Sequence, residues 1–514
     1  MSKAVKKIPE TKDFYKINYI SAVDYCGKRN LVAYVKSFAD EEKKCYIQQV
    51  ILKDLNSGKE RVITANGYKE ENPRFSPDGN KLAFLSNVTG DKQIWIFDLN
   101  TGKLSRLTSM RYGASNIVWS PLGDKIAFLS PKPSGESIYL LQKMRDPKEL
   151  DELKEQRKRQ PIVIENFGFK NEKDMGFSTP QSSQHVWIVD INTGATECLT
   201  DGDKNHVMPV WFPDGKRLLF VSNRDRANVE YLAQDLYSVD IETKEIKRIT
   251  DSIYIAYYPK KIVPKFTPDG KYVIVGGLVV DSDGYPPVHL YKVCLETGET
   301  TKIFNDDAPC EGATRFLYNA DSYGEVYDTM QVSSDGEYAY FIAGWHGKGN
   351  IYRVNINGEP HVEEFTHGKQ NYGSISEVFN GKMICVKCDA KNFYDIWMLD
   401  EKTKHETRLT NSNPWLEERL ISDMEELWID TLDGKARVQG WVIKPQLAKE
   451  GEKYPAVLYI HGGPTPYYGY ALCYEHQCMA GQGIGVILVN PRGSSGYGSE
   501  HSNMEQAFDG TAYY

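Results

Sequence analysis

The feature that most constrains this chain is a repeated unit. It consists of a Ser-Pro-Asp-Gly type turn, an apolar strand, a second apolar strand, an Asn/Glu-Thr-Gly type turn and then Arg-Leu-Thr. A recurring unit of this size marks an architecture in which no single copy can bury its own faces. The clearest copy runs from Phe75 to Gly79, then Lys81 to Ser86 (KLAFLS), Gln93 to Asp98 (QIWIFD), Asn100-Thr101-Gly102 and Arg106-Leu107-Thr108. The turn-and-strand half recurs at Trp119 to Gly123 with Lys125 to Ser130, Trp211 to Gly215 with Arg217 to Ser222, Phe266 to Gly270 with Tyr272 to Val275, and Val332 to Gly336 with Tyr338 to Ile342. The strand-and-Thr-Gly half recurs at Val186 to Gly194, Leu236 to Asp240, Leu290 to Gly298, Ile351 to Gly358 and Asp395 to Thr410.

Pro presets φ at the second turn position, Asp tolerates the third, and Gly closes the turn into the next strand. In Leu82 to Leu85 and Ile94 to Phe97 both alternating faces are apolar, so each strand is covered on both sides, as when four-stranded blades stack in a ring. With the weaker Cys26-Gly27 and Asn380-Gly381 turns as ends of the series, the turn glycines are Gly27, Gly79, Gly123, Gly215, Gly270, Gly336 and Gly381. The expectation is a seven-bladed β-propeller over residues 17–410. The wide gap before Gly215 holds an insertion, Pro131 to Gln184, with a charged, helix-like run from Asp146 to Gln160. That run reads either as a solvated helix or as an oligomer contact or flap over a channel.

Composition narrows the partners. The 514 residues predict about three domain equivalents, or two if one is a large repeat. With 40% hydrophobic and 26% charged residues the chain can bury a sizeable core. The 62 Lys+Arg against 70 Asp+Glu leave a net charge of -8, the wrong sign for neutralising phosphates, so nucleic acid is not an expected partner. The longest apolar candidate, Tyr272 to Val280, contains two glycines and is too short to span a bilayer. Met1 to Lys16 is basic without an apolar stretch behind it, so no membrane association is expected and the expected compartment is cytoplasmic. Nine scattered cysteines suit reduced thiols. The Cys385-x-x-Cys388 pair sits in a strand-like run with no second pair, and no metal site is expected.

After Arg408-Leu409-Thr410 the repeat stops, and Asn411 to Trp415 reads as a linker to a second domain over residues 416–514. Leu427 to Thr431 and Val438 to Ile443, joined across Asp433-Gly434, read as a hairpin. Ala456 to Ile460 reads as a buried parallel strand. Tyr470 to Ala480 reads as a helix with Ala471, Tyr474 and Cys478 on one face, and Val486 to Val489 as a second buried strand. An open α/β sheet places its ligands at the carboxyl ends of such strands. Two loops stand there, His461-Gly462-Gly463-Pro464 and Asn490 to Gly498 (NPRGSSGYG). An H-G-G motif at this place supplies an oxyanion-hole N–H, and glycine lets backbone approach a substrate closely. His461 reads as a loop-orienting residue. Arg492 reads either as a structural ion-pair partner or as a substrate-facing group.

Ser-Pro-Asp-Gly blades, a hairpin, YPAVLYIHGGP and NPRGSSGYG, in that order, resemble the prolyl oligopeptidase family of serine peptidases, nearest its acylaminoacyl-peptidase and dipeptidyl-peptidase branch. The resemblance implies a seven-bladed propeller followed by an α/β-hydrolase domain. It implies hydrolysis of short peptides through an acyl-enzyme, with the Gly463 N–H in the oxyanion hole, an oligopeptide substrate, no metal or organic cofactor, and self-association of unfixed symmetry. A Gly-x-Ser-x-Gly elbow is absent: Gly493-Ser494-Ser495-Gly496-Tyr497 has Tyr where the last Gly belongs and lies in the wrong loop. The expectation is a chain cut off before its catalytic Ser, Asp and His, with the elbow about 35 residues beyond Tyr514, and inert by itself. A non-catalytic propeller binding protein and an esterase of the hydrolase fold are the alternative readings. The first leaves the HGGP and NPRG loops without purpose, and the second has no need of a propeller filter.

Overall fold

Each Ser-Pro-Asp-Gly turn joins the first and second strands of a four-stranded antiparallel sheet, and each Thr-Gly turn joins the third and fourth. In the computed structural model the described residues are 6–63, 69–133, 182–225, 234–251, 253–255, 262–278, 288–304, 329–462 and 466–502, with scattered positions between them. Among these, seven such blades follow one another from Asn18 to Arg408, the first strand of the fifth broken into Tyr254–Ile255 and Lys265–Phe266, and the sixth and seventh linked by a parallel bridge between Gly349 and Asn371. The fold is a seven-bladed β-propeller followed by α/β-hydrolase structure.

The motif residues act through local hydrogen bonds. The Ser76 hydroxyl donates to Asp78, which also accepts the Asn80 N–H at 2.9 Å. Asp98 Oδ1 accepts the N–H groups of Asn100 (3.0 Å) and Thr101 (2.8 Å), and Asp190 and Asp240 repeat the pattern. The Thr of Arg-Leu-Thr, or of Arg-Ile-Thr at residues 248–250, has a separate task. Its hydroxyl oxygen accepts a third-strand N–H beyond the end of the short fourth strand: Thr108 from Ile94 at 2.9 Å, Thr250 from Leu236 at 3.0 Å and Thr410 from Ile396 at 2.9 Å.

Alternate residues of one strand enter two different cores, as the two-sided apolar pattern requires. Leu82 and Phe84 pack against Val35 and Val50 of the first blade, whereas Ala83 and Leu85 pack against Ile126 and Phe128 of the third. Full burial of such a side chain contributes about 1.5–3 kcal/mol. The aromatic residues ahead of the turns add a blade-to-blade link, with Trp119 Nε1 donating to the Arg74 carbonyl at 2.9 Å and Trp211 Nε1 to that of Val118 at 3.1 Å.

Among the described residues, no strand is shared between the first and seventh blades. They meet through Ile20, Val32, Ile384, Val386 and Ile396, and Asn413 clasps the seam by exchanging two 2.8 Å hydrogen bonds with the Asn18 backbone. Gly27 differs here from its expected role. In the first turn the left-handed residue is Asn30 (φ 54°), and Gly27 is small because a Cβ there would lie 2.0 Å from the Phe379 ring of the seventh blade. The Pro131 to Gln184 segment also begins later than expected, because the antiparallel ladder runs on to Pro133 paired with Ser182. The Asp146 to Gln160 run lies largely outside the described residues. Cys385 and Cys388 fall on opposite faces of one strand, in different cores, and burial raises both thiol pKa values.

Beyond the propeller, strands Met424–Asp430, Arg437–Ile443, Gly485–Asn490 and Ala456–Tyr459 lie side by side in that order, with the last two parallel. The helix runs from Tyr474 to Gly481 and does not start at Tyr470. Residues 467–472 instead lie buried against the propeller, where the Tyr470 N–H donates to the Gly347 carbonyl at 2.9 Å. The strand expected to be buried at Ala456 to Ile460 is an edge of the sheet, with Leu458 54% and Ile460 73% exposed.

Candidate active site

The two glycine-rich loops leave neighbouring parallel strands at their carboxyl ends, so sheet pairing alone brings them together. His461 joins them. Its Nδ1 lies 3.1 Å from the Gly462 carbonyl, which can only accept, so Nδ1 carries the proton and Nε2 accepts from the Ser494 hydroxyl at 3.2 Å. Burial lowers the His461 pKa, in keeping with a neutral ring. The ring thereby links the start of the first loop to Ser494 of the second. Gly463, together with Pro464 and Thr465, lies outside the described residues.

Asn490 makes a second link between the loops. Its Oδ1 accepts the Tyr468 N–H at 2.7 Å and its Nδ2 donates to the Tyr468 carbonyl at 2.9 Å. The same Nδ2 donates to the Tyr497 hydroxyl, which donates in turn to Gln439 Oε1 at 2.6 Å. Arg492 is buried, and its Nη1 donates to Asp433 Oδ2 at 2.6 Å, tying the loop to the hairpin turn. The Asp433 carboxyl is held well below the usual range, by the Thr431 hydroxyl first, then the Lys435 N–H and Arg492. His501 packs its ring against Tyr497 and accepts no charge readily, since burial lowers its pKa to about 4.

The sequence reading placed the loops and His461 but missed the partners that fix them. Asn490 stood inside the quoted motif with no role, although a side chain with both a donor and an acceptor is suited to pinning a backbone segment. Tyr497 carried no signal beyond its position in the loop. Asp433 was read only as a turn residue.

One carboxylate, Glu426, lies where the sheet meets the propeller. Glu426 accepts from the Tyr470 hydroxyl (2.6 Å), Lys369 (3.0 Å), Gln439 (2.7 Å) and Trp428 Nε1 (3.1 Å). Partial burial would raise its pKa, but these four donors bring it down to about 2. No group of three or more His, Cys, Asp or Glu side chains suited to a metal ion occurs among the described residues. Nor is any helix among them long and apolar enough to cross a membrane.

The chain matches known proteins along most of its length. Residues 45–256 match the family described as the Tricorn protease N-terminal beta propeller domain. A Bacillus subtilis protein named Uncharacterized peptidase YuxL is 28% identical over 519 residues, covering 97% of this chain and 73% of that protein. A dipeptidyl-peptidase 5 of Porphyromonas gingivalis is 26% identical over 299 residues, covering 56% of this chain and 40% of that one. Among solved structures, the acylaminoacyl peptidase of Pyrococcus horikoshii superposes with a TM-score of 0.72 at 22% identity, over 96% of this chain and 69% of its own. With the ordered blades, hairpin and paired loops, these similarities to proteins named as peptidases support the chain's resemblance to the prolyl oligopeptidase family.

Proposed function

We propose that this protein is a serine-type peptidase that hydrolyses short peptides through an acyl-enzyme, in the manner of an acylaminoacyl- or dipeptidyl-peptidase. The observation that carries the reading is the His461 to Ser494 hydrogen bond, which draws the two loops together at the carboxyl ends of adjacent parallel strands. In the proposal residues 17–410 act as the filter and residues 416–514 belong to the catalytic domain. The Gly463 N–H holds the tetrahedral oxyanion, an interaction whose loss typically costs about 2.7–4 kcal/mol in the transition state. Residues 1–514 contain no Gly-x-Ser-x-Gly elbow, so they are proposed to be inactive by themselves and the chemistry is tested in the product of the whole reading frame. The free thiols of the described cysteines agree with a reducing compartment such as the cytoplasm.

Arg492 has two roles to separate, and Arg492→Lys does so. A rise in KM with unchanged melting marks a substrate contact, whereas a lowered melting temperature with unchanged KM marks the Asp433 pair as its whole role. The function itself is tested with N-acylated and free-amine dipeptide anilides against simple aryl esters. Turnover of an anilide supports the peptidase reading, and turnover of esters alone replaces it with an esterase.

A further inference from the structure

The sixth blade ends in a two-residue turn, His346-Gly347, between strands Tyr338–Trp345 and Lys348–Asn355. Both residues have positive φ, 49° and 71°, the signature of a tight type I′ hairpin. This tip touches the second active-site loop and the 467–472 segment that follows the first. The His346 N–H donates to the Gly496 carbonyl at 2.9 Å, and the Gly347 carbonyl accepts the Tyr470 N–H at 2.9 Å. The His346 ring lies 5.3 Å from Trp428 and 5.5 Å from Tyr497, centroid to centroid. The fit leaves no space for side chains. A Cβ on Gly347 would come within 2.5 Å of the Trp441 ring, and one on Gly344 within 2.5 Å of the Tyr467 hydroxyl.

We propose that the His346-Gly347 turn is a positioning element for the second active-site loop, so that the propeller acts on turnover as well as on substrate entry. The proposal rests on the peptidase reading above. Gly496 and Tyr497 are held from two directions, by the blade tip through His346 and by the sheet through Gln439 and Asn490. Because Asn490 also pins the Tyr468 backbone, displacement of the tip is passed to the segment that follows the first loop as well as to the second loop. A shift of about 1 Å in such a constellation can cost on the order of 100-fold in rate.

The test uses Gly347→Ala, which forces the tip away from Trp441, and His346→Asn, which tolerates positive φ and keeps the N–H but removes the ring. Both are made in the full-length enzyme and assayed on a small aryl ester that needs no filtering. The same substitutions in the 514-residue chain are followed by amide exchange at residues 493–498. The expected result is a fall in kcat of about 10- to 100-fold for Gly347→Ala and about threefold to tenfold for His346→Asn. KM stays within about threefold, and exchange at Gly496 and Tyr497 accelerates. A kcat unchanged in both variants, or a change confined to KM, overturns the proposal. If the unsubstituted enzyme turns over neither anilides nor esters, the peptidase reading fails separately and the exchange data decide the coupling: unchanged protection at 493–498 overturns it.

Discussion

The guanidinium of Arg419 is clamped to the carboxylate of Asp13, 406 positions earlier in the chain, by hydrogen bonds of 2.6 and 2.8 Å. Asp13 is 1% exposed and also accepts from the Tyr474 hydroxyl at 2.7 Å, at the start of the hydrolase helix. One carboxylate thus ties the N-terminal segment to two separate parts of the second domain. Burial by itself would raise its pKa, but Arg419, Lys16 and Tyr474 bring it well below the usual carboxylate range. Arg419→Met leaves that carboxylate without its main partner and is expected to cost about 3–5 kcal/mol. Denaturant melts of the 514-residue chain check this, and a loss under 1 kcal/mol contradicts the clamp.

The Thr that closes each Arg-Leu-Thr or Arg-Ile-Thr is predicted to be a blade-level fastener. Thr250→Val keeps the shape but removes the hydroxyl oxygen that accepts the buried Leu236 N–H. An unsatisfied buried donor costs about 1–3 kcal/mol, which urea denaturation reads directly. The same substitution at Thr243, an exposed turn position, is expected to cost less than half as much.

Stability is predicted to fall as pH drops from 6.5 toward 4. His206 is fully buried and packed against His185 with a ring-centroid distance of 5.1 Å and a 30° tilt between the rings. Burial first, then His185 and Arg224, lowers its pKa to about 3. Between that value and the unfolded-state value near 6.5 the unfolded chain binds one more proton than the folded one at this site, so stability rises with pH across the window. The slope is about 1.4 kcal/mol per pH unit for one such group. Asp13, with a depressed pKa, stabilises the folded state above about pH 3.8 and loses that effect only below it, so the two contributions separate. Because His501 and His476 are also held to about 4 by burial, replacing His206 by Leu is expected to reduce the slope between pH 6.5 and 4.5 by one proton's share without abolishing it.

Gly27→Ala is predicted to open the seam between the first and seventh blades, since the added methyl meets the Phe379 ring. Overpacking of this kind costs about 1–3 kcal/mol. Pairing it with Phe379→Leu, which vacates the space, is expected to recover part of the loss, and a double-mutant cycle measures how much.

Much of the propeller was legible because its signals are local. Ser-Pro-Asp-Gly and Asp-x-x-Thr bond within a few residues, and a strand buried on both faces reads as an unbroken apolar run. What was not legible depends on residues far apart in sequence. Gly27 resembles a turn glycine until Phe379 is placed against it, and the helix start moved to Tyr474 because the preceding tyrosines dock on the sixth blade. Ala22 and Met208 adopt positive φ (49° and 54°) at bulges in first strands, which neither residue type announces. In the site, HGGP and NPRG declared themselves by type and order. Arg492 to Asp433 and Asn490 to Tyr468 required the sheet to bring their partners near.

The most direct test of the central claim is active-site labelling of the full-length protein with a fluorophosphonate, read by intact mass and peptide mapping alongside turnover of a dipeptide anilide. The account predicts one adduct per chain, on the serine of a Gly-x-Ser-x-Gly elbow, with anilide turnover lost in step with labelling. A protein that takes up no label and turns over no anilide contradicts it.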